Sequence, residues 1–279
     1  MAMDKISIIT SVHNGISFNR IFLNYIKKYT VNEYEVIIVD NISTDGSREF
    51  FKQNGATVIE NDKNYSYPFC QNQGIKAATG NYLFFLNNDI IVSPGWDKRL
   101  IETAQKNGAD IISAKGLENM GDKKLTRRYD HRWKRIKNPL MLLGFSSSNL
   151  RLMHKLMYAN WEKFSERQYN LYGNKVTEGI LGNNVMMTRR AIEKVGLWDE
   201  KLQIADWDLF IRAKKRSVEH KDIKPCQVAL GVYIHHFVRM TAKYAVKPIP
   251  FADKDKLISL NDKWSDRELE LYSLNNINN

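Results

Sequence analysis

Only two cysteines occur in 279 residues, Cys70 and Cys226, far apart and without the close spacing of a zinc knuckle. Neither a disulfide framework nor a cysteine-held metal organises this chain, and a reducing, cytoplasmic setting is expected. Apolar runs are short, and none approaches the roughly 18 residues that a membrane-spanning helix needs. Met1-Ala2-Met3-Asp4-Lys5 leads straight into the strand-like Ile6-Ser7-Ile8-Ile9, so no secretory leader is expected. No Gly-x-Gly-x-x-Gly follows any apolar run, which argues against a dinucleotide-dependent dehydrogenase. Acids are also in short supply: 42 Lys and Arg against 31 Asp and Glu leave a formal charge of +11. That balance favours anionic partners, whether nucleotide phosphates, phospholipid headgroups, anionic glycans or nucleic acid, without choosing among them. What is present is core material, since 43% hydrophobic and 11% aromatic residues suffice for one large domain or two tightly joined halves.

In the first hundred residues short apolar runs alternate with amphipathic stretches, the rhythm of parallel strands joined by covering helices. Ile6 to Thr10, Tyr34 to Val39, Thr57 to Glu60 and Tyr82 to Leu86 are the expected strands. Helices are expected over Phe18 to Tyr29, from Ser47 to about Gln53, and over Cys70 to Thr79. The economical fold is therefore an α/β sheet, mainly parallel and flanked by helices. Residues 115–137 break the rhythm with eight or more cations around Tyr129 and Trp133, and are expected to form a mobile basic loop. Leu140 to Trp161 is expected to be helical with one wet face. After Pro248 and Pro250 comes a polar, helix-like tail whose Leu257, Leu260, Trp264, Leu269 and Leu271 are expected to pack back on the domain or a partner.

Ligands of open α/β sheets bind beyond the carboxyl ends of the strands, and three polar clusters fall there: 11–14, 40–43 and 87–89. Asp89, just past an apolar strand, is a candidate for a divalent cation, because Mg²⁺ and Mn²⁺ favour oxygen ligands and bridge to diphosphate. Its plainer alternative is a turn that caps the helix before Trp96. Asp40 is placed to accept from a base imide or a ribose hydroxyl, or else to close an Asx turn. Downstream, Asp206 and Asp208 flank Trp207 where a helix should begin; they are either dipole-favoured caps or a catalytic pair with a reason for a raised pKa. His235 and His236 end a strand-like run over Val228 to Ile234, and neighbours on a strand face opposite ways, so only one can face a site.

These segments, in this order over residues 5 to about 240, resemble the inverting glycosyltransferases of family 2, which have the GT-A, Rossmann-like fold. Ile6 to Asn14 is similar to the family's first strand and donor loop, Val36 to Ser47 to its base-contacting segment, and Asn72 to Asp89 to the stretch leading into its metal-binding acid motif. Gly182 to Arg190 and Trp198 to Asp208 resemble its acceptor half. The resemblance implies a donor site of Ser11, Val12, His13, Asn14, Asp40, Asn41, Gln71, Asn72, Asn87, Asn88 and Asp89. In it Asp40 reads the base, Asn87 approaches the ribose, Asp89 and His236 hold Mn²⁺ or Mg²⁺, and Asp206 is the general base. Asn183, Trp207, Asp208 and His235 are implied as acceptor-side or secondary residues. Two departures stand out: Asn87 replaces the first acid of the usual pair, and Ala205 stands where the family usually has Glu.

The resemblance further implies a uridine-diphosphate sugar as donor and a cell-surface glycan, glycolipid or protein as acceptor. The domain plan it suggests is a single unit over 1–245, with a donor half to 110 and an acceptor half from 111, followed by a tail over 246–279. A peripheral contact with anionic membrane at its inner face is expected of the basic segment. Rival readings are a nucleotidyltransferase, which would want a Gly-rich basic loop where Ser11 to Gly15 stands, and a nucleic-acid-binding protein using Arg127 to Lys137 with Trp133.

Overall fold

The computed structural model describes residues 5–238, 240 and 249–273. The chain runs β1 (Ile6–Val12), α1 (Ile16–Tyr29), β2 (Tyr34–Asn41), α2 (Ser47–Gln53), β3 (Thr57–Asn61), α3 (Tyr67–Ala77), β4 (Tyr82–Leu86), β5 (Ile90–Ile91) and α4 (Trp96–Asn107). It continues through β6 (Ile111–Lys115), α5 (Lys123–Leu140), α6 (Ser147–Tyr158), α7 (Trp161–Tyr172), β7 (Val176–Glu178), β8 (Asn184–Thr188) and α8 (Arg189–Val195). The last elements are α9 (Ala205–Glu219), β9 (Gln227–Tyr233), β10 (His235–His236), α10 (Leu260–Lys263) and α11 (Asp266–Tyr272).

Eight strands form one sheet in the order β3-β2-β1-β4-β8-β6-β9-β7, with β5 and β10 as a separate antiparallel pair. β8 and β7 pair antiparallel to their neighbours, and the other strands share one direction. The expected α/β sheet, mainly parallel with helices on both faces, is what forms. Its β4 shows why the run Tyr82 to Leu86 is continuously apolar. Leu83 and Phe85 enter one core with α3, α8 and α9, while Phe84 and Leu86 enter the other with α1 and α4 to α7. Each such fully buried side chain contributes about 1.5–3 kcal/mol, so the strand has no face to give to water. Gly74 lets α3 lie tight on β1, because a Cβ there would sit 2.2 Å from Ile9 Cγ2.

The expectation of a mobile loop over 115–137 is overturned. Lys115 is the buried end of β6, and residues 123–140 form a helix capped by Asp122, whose side chain accepts from the Leu125 N–H at 2.7 Å. The physical reason is a stripe at helical spacing, Leu125, Tyr129, Trp133, Ile136 and Leu140, that packs on the core while the cations face outward. α3 begins earlier than expected, at Tyr67, with Pro68 in its first turn. Ser93, Pro94 and Gly95 stand between Asp89 and α4, and Gly95 occupies its N-cap, so Asp89 does not cap that helix. Within the tail, Trp264 is buried against α9 whereas Leu271 is exposed; the expected tail before residue 249 and after 273 lies outside the described residues.

Candidate functional site

Parallel direction gathers the strand ends on one edge. β1, β2 and β4 deliver residues 11–14, 40–43 and 87–89 there, and β6 and β9 deliver Glu118 and His235-His236. Antiparallel β8 begins at the same edge, so the Gly182-Asn183 turn before it joins them. The backbone N–H of Asn87 donates to the Asn183 carbonyl at 3.0 Å, tying the third cluster to that turn.

At the centre are Asp89, His236 and Glu118. The β5–β10 ladder pairs His236 with Ile90, and Phe237 N–H donates to the Asp89 carbonyl at 2.9 Å. His236 Nε2 thereby lies 3.2 Å from Asp89 Oδ1, while Nδ1 makes a short contact with Glu118 Oε1. Asn183 Nδ2 donates to the same Glu118 oxygen at 3.2 Å. Burial works against a charged ring here, but the carboxylates of Asp89 and Glu118 outweigh it and push the imidazole up to about 10. The centre thus selects for positive charge between two acids.

Asp206 lies against Gly182, the residue before Asn183. A Cβ on Gly182 would sit 2.2 Å from Asp206 Oδ2 and 2.7 Å from its Cγ, so a glycine there is what lets the carboxylate lie against the turn. Burial raises the Asp206 carboxyl above its ordinary range, opposed by the backbone N–H groups of Trp207 and Asp206 itself at the start of α9. Trp207, beside it, is 38% exposed.

The donor-side residues form a connected rim. Asp40 is fully buried: its Oδ2 accepts from Arg48 Nη2 at 2.7 Å and Ser43 N–H at 3.1 Å, and its Oδ1 has no hydrogen-bond partner among the described residues. Asn14, at φ 58°, bridges the first two clusters, donating its N–H to Ser43 Oγ and accepting from Thr44 N–H. His13 Nδ1 lies 2.5 Å from the Asn41 carbonyl, and Gln71 Nε2 donates to Ser11 Oγ at 3.4 Å. Asn88 Nδ2 is held by Asn19 Oδ1 at 2.7 Å, and the Asn87 side chain is half-buried at the rim.

The side chains of several expected site residues face elsewhere. Asp208 is fully buried on the opposite side of α9, accepting from Arg212 Nε at 2.7 Å and Trp264 Nε1 at 2.9 Å beside Lys263 Nζ at 2.7 Å; it anchors the tail. His235 is a core histidine, with Nδ1 2.9 Å from Tyr158 Oη and its ring 4.8 Å from that of Trp133; burial depresses its pKa well below the usual range, keeping it neutral. Asn72 staples α3 to the 198–200 loop through the Trp198 N–H and carbonyl and Glu200. The Asn41 side chain is taken up by Tyr65, Asn61 and Cys70, and Val12 points into the core. Conversely Glu118, Arg48 and Gly182 belong to the site without having been singled out. Glu118 had a signal, an acid just past the apolar run Ile111 to Ala114, hidden by the cations that follow.

A divalent cation is tested against these residues by their chemistry. No group of three or more His, Cys, Asp or Glu side chains arranged for a metal occurs among the described residues, so the protein alone offers at most the Asp89–His236 pair. That pair has the right make-up: a hard carboxylate oxygen, and an imidazole whose Nδ1 is engaged by Glu118 while Nε2 turns toward Asp89. Such a two-ligand site suits a cation whose remaining positions come from diphosphate and water.

The model of the family "Glycosyl transferase family 2" matches residues 7–196. The glycosyltransferase AglE of Haloferax volcanii is 31% identical over 38% of this chain and 38% of its own length. GlyG of Streptococcus pneumoniae is 21% identical over 67% of this chain and 71% of its own. The match to AglE, like that to the EpsJ protein of Bacillus subtilis at 36%, spans well under half of the relative. Among solved structures, the mannosyltransferase PcManGT of Pyrobaculum calidifontis, in complex with GDP-Man and Mn²⁺, superposes with a TM-score of 0.51 at 15% identity, covering 82% of this chain and 58% of that one. The fold is the GT-A arrangement of that neighbour, and the family match spans the donor rim, Asp89, Glu118 and the Gly182 turn, with Asp206 and His236 beyond its end: the chain belongs to glycosyltransferase family 2.

Proposed function

We propose that the chain transfers one sugar from a nucleotide-diphosphate sugar to an acceptor hydroxyl, with inversion. What supports this is a chain of contacts at one sheet edge: Asp206, held by burial as a weakened acid, lies against Gly182, and the next residue, Asn183, bonds Glu118 beside the Asp89–His236 pair. Asp206 takes the proton of the acceptor hydroxyl, whose oxygen attacks the anomeric carbon opposite the departing diphosphate. Asp40 Oδ1 accepts from the base, its other oxygen fixed by Arg48, and Asn87 meets the ribose. A divalent cation at Asp89 and His236, when bound, offsets negative charge on the leaving diphosphate. PcManGT carries GDP-Man and Mn²⁺, which supports a metal here and sets guanosine beside the uridine that the family resemblance implies. The donor half spans residues 1–110 and the acceptor half 111–245, with the tail clamped to α9.

The acceptor we propose is a cell-surface glycan, glycolipid or protein. No helix among the described residues is long and apolar enough to cross a membrane. A peripheral contact with anionic lipid is supported by the outward cations of α5 and by Leu142 and Leu143, 88% and 69% exposed at its end. Vesicle flotation tests this: equal recovery with phosphatidylglycerol and phosphatidylcholine would dismiss it. The central test is a thermal-shift screen of uridine- and guanosine-diphosphate sugars with and without Mn²⁺, followed by transfer assays. Stabilisation by one donor and release of its diphosphate are expected; no response to any of them would overturn the reading.

A further inference from the structure

Helices α5 and α7 enclose a cavity of about 390 Å³ that the sugar-transfer reading does not use. Arg128 and Arg132, one turn apart on α5, and Arg167 on α7 line it, and no carboxylate does. Five other guanidiniums meet acids, Arg48 with Asp40, Arg99 with Glu166, Arg190 with Asp110, Arg212 with Asp208 and Arg216 with Asp222, though not every arginine outside the cavity does. Among the described residues the three cavity arginines enter no ion pair, and Arg132 gives one N–H to the Leu156 carbonyl at 3.1 Å. Beneath them lies a fourth cation. Lys115 is wholly buried, its ammonium held by Gln168 Oε1 at 2.8 Å and by the Tyr172 ring at 3.8 Å, both residues of the cavity wall. Burial without a carboxylate lowers this amine to about 8. Tyr129 and Phe164 supply the rest of an aromatic wall, their rings 6.0 Å apart.

Three forked guanidiniums around one hollow, over a buried ammonium with no counter-ion among the described residues, form a complement to a tetrahedral anion. We infer that this cavity binds a phosphate ester, its phosphoryl oxygens taken by Arg128, Arg132 and Arg167 and its organic part laid on the Tyr129–Phe164 wall. The site is separate from the Asp89 rim, and the inference does not depend on the transfer reading. A free phosphate ester and a phospholipid headgroup present the same chemistry, and the experiment separates them.

The whole chain is titrated calorimetrically with glycerol 3-phosphate and floated with phosphatidylcholine vesicles with and without phosphatidylglycerol. Both arms compare the wild type, the pair Arg128→Gln with Arg167→Gln, and a charge-matched control pair away from α5, Lys76→Gln with Lys106→Gln. The cavity pair is expected to weaken binding about tenfold or more, the loss expected for charge-assisted bonds to phosphate, while the control keeps it. All four side chains are exposed, so an unchanged melting temperature verifies the fold. Saturable binding of glycerol 3-phosphate lost in the cavity pair means that a free ester suffices; loss confined to the vesicle arm means a headgroup. No saturable binding in either arm, or equal weakening by both pairs, overturns the inference, the second because diffuse surface charge would then explain the result.

Discussion

Asp206 and Asp208 stand two residues apart in the first turn of α9, about 200° around the helix from one another, and the two sides they face are built differently. On the rim side Asp206 has no ion pair among the described residues, lies against a glycine, and is kept from water enough to raise its carboxyl. On the tail side Asp208 is saturated by Arg212, Lys263 and Trp264. A carboxylate with three charged or N–H partners has its oxygens occupied and offers none to an acceptor hydroxyl. One left without a counter-ion and short of water can take its proton. The sequence Asp206-Trp207-Asp208 therefore divides into a chemical group and a structural one through what each side offers, and position in the helix alone would make both mere caps.

The largest effect that would break or sharpen this contrast comes from Asp206→Asn. Loss of the base is expected to cut transfer about 10³-fold, within the usual range for general-base catalysis, with donor-induced stabilisation retained. Folding should not suffer. The raised carboxyl means that the folded state holds its proton to higher pH than the unfolded chain, so ionised Asp206 costs stability above its folded pKa, and Asn should match or exceed the wild-type melting temperature at neutral pH. Near-normal transfer by the purified variant would remove Asp206 from the reaction. Asp208→Asn should do the opposite. Leaving Arg212 without its carboxylate and loosening Trp264, while Lys263 keeps Asp199, is expected to lower unfolding stability by about 3 kcal/mol in denaturant titrations, while turnover per folded molecule stays within about threefold. If turnover collapsed with stability intact, the two acids would have to exchange roles.

How far the sequence discloses this arrangement varies by region. Through residue 110 the strands and the polar clusters at their ends are legible, because parallel strands buried on both faces are unbroken apolar runs and the residues after them fall on one edge. Asp40 and Asp89 emerge for that reason, whereas Asp206 stands out as an acid at a helix start and through the family resemblance; the neighbouring-residue rule for strands already implies that His235 and His236 part company. The segment from 111 to 172 is far less legible. Its cations mask the Leu125-Tyr129-Trp133-Ile136 stripe, and the same mask hides Glu118, whose role depends on His236, over a hundred residues later. Asn72 and Asp208 mislead for a related reason. A buried amide or acid in a nucleotide-site-like segment looks the same in sequence whether it meets a ligand or the Trp198 backbone, and only the packing of α3 on the 198–200 loop, or of the tail on α9, separates the cases.

The subtler test of the rim side is Gly182→Ala. The new methyl would occupy the space of the Asp206 carboxyl and push it away from the turn, and displacements of about 1 Å in a catalytic group cost up to about 100-fold. A loss of about ten- to a hundredfold is expected, smaller than for Asp206→Asn because the base is moved rather than removed. The smallest effect is in the pH profile. A base works only when ionised, so in the wild type the rate should fall on the acid side through a pKa above the ordinary aspartate value of about 3.9. Since burial is the leading cause of that elevation, pushing the carboxyl toward water should bring it down, and the residual activity of Gly182→Ala should persist to lower pH than the wild type's. A profile that keeps its acid limb while the rate drops would mean that Gly182 sets only the position of Asp206 and leaves its hydration alone. A rate within twofold of wild type would mean that the carboxylate tolerates the methyl and that the tight contact is not what readies it.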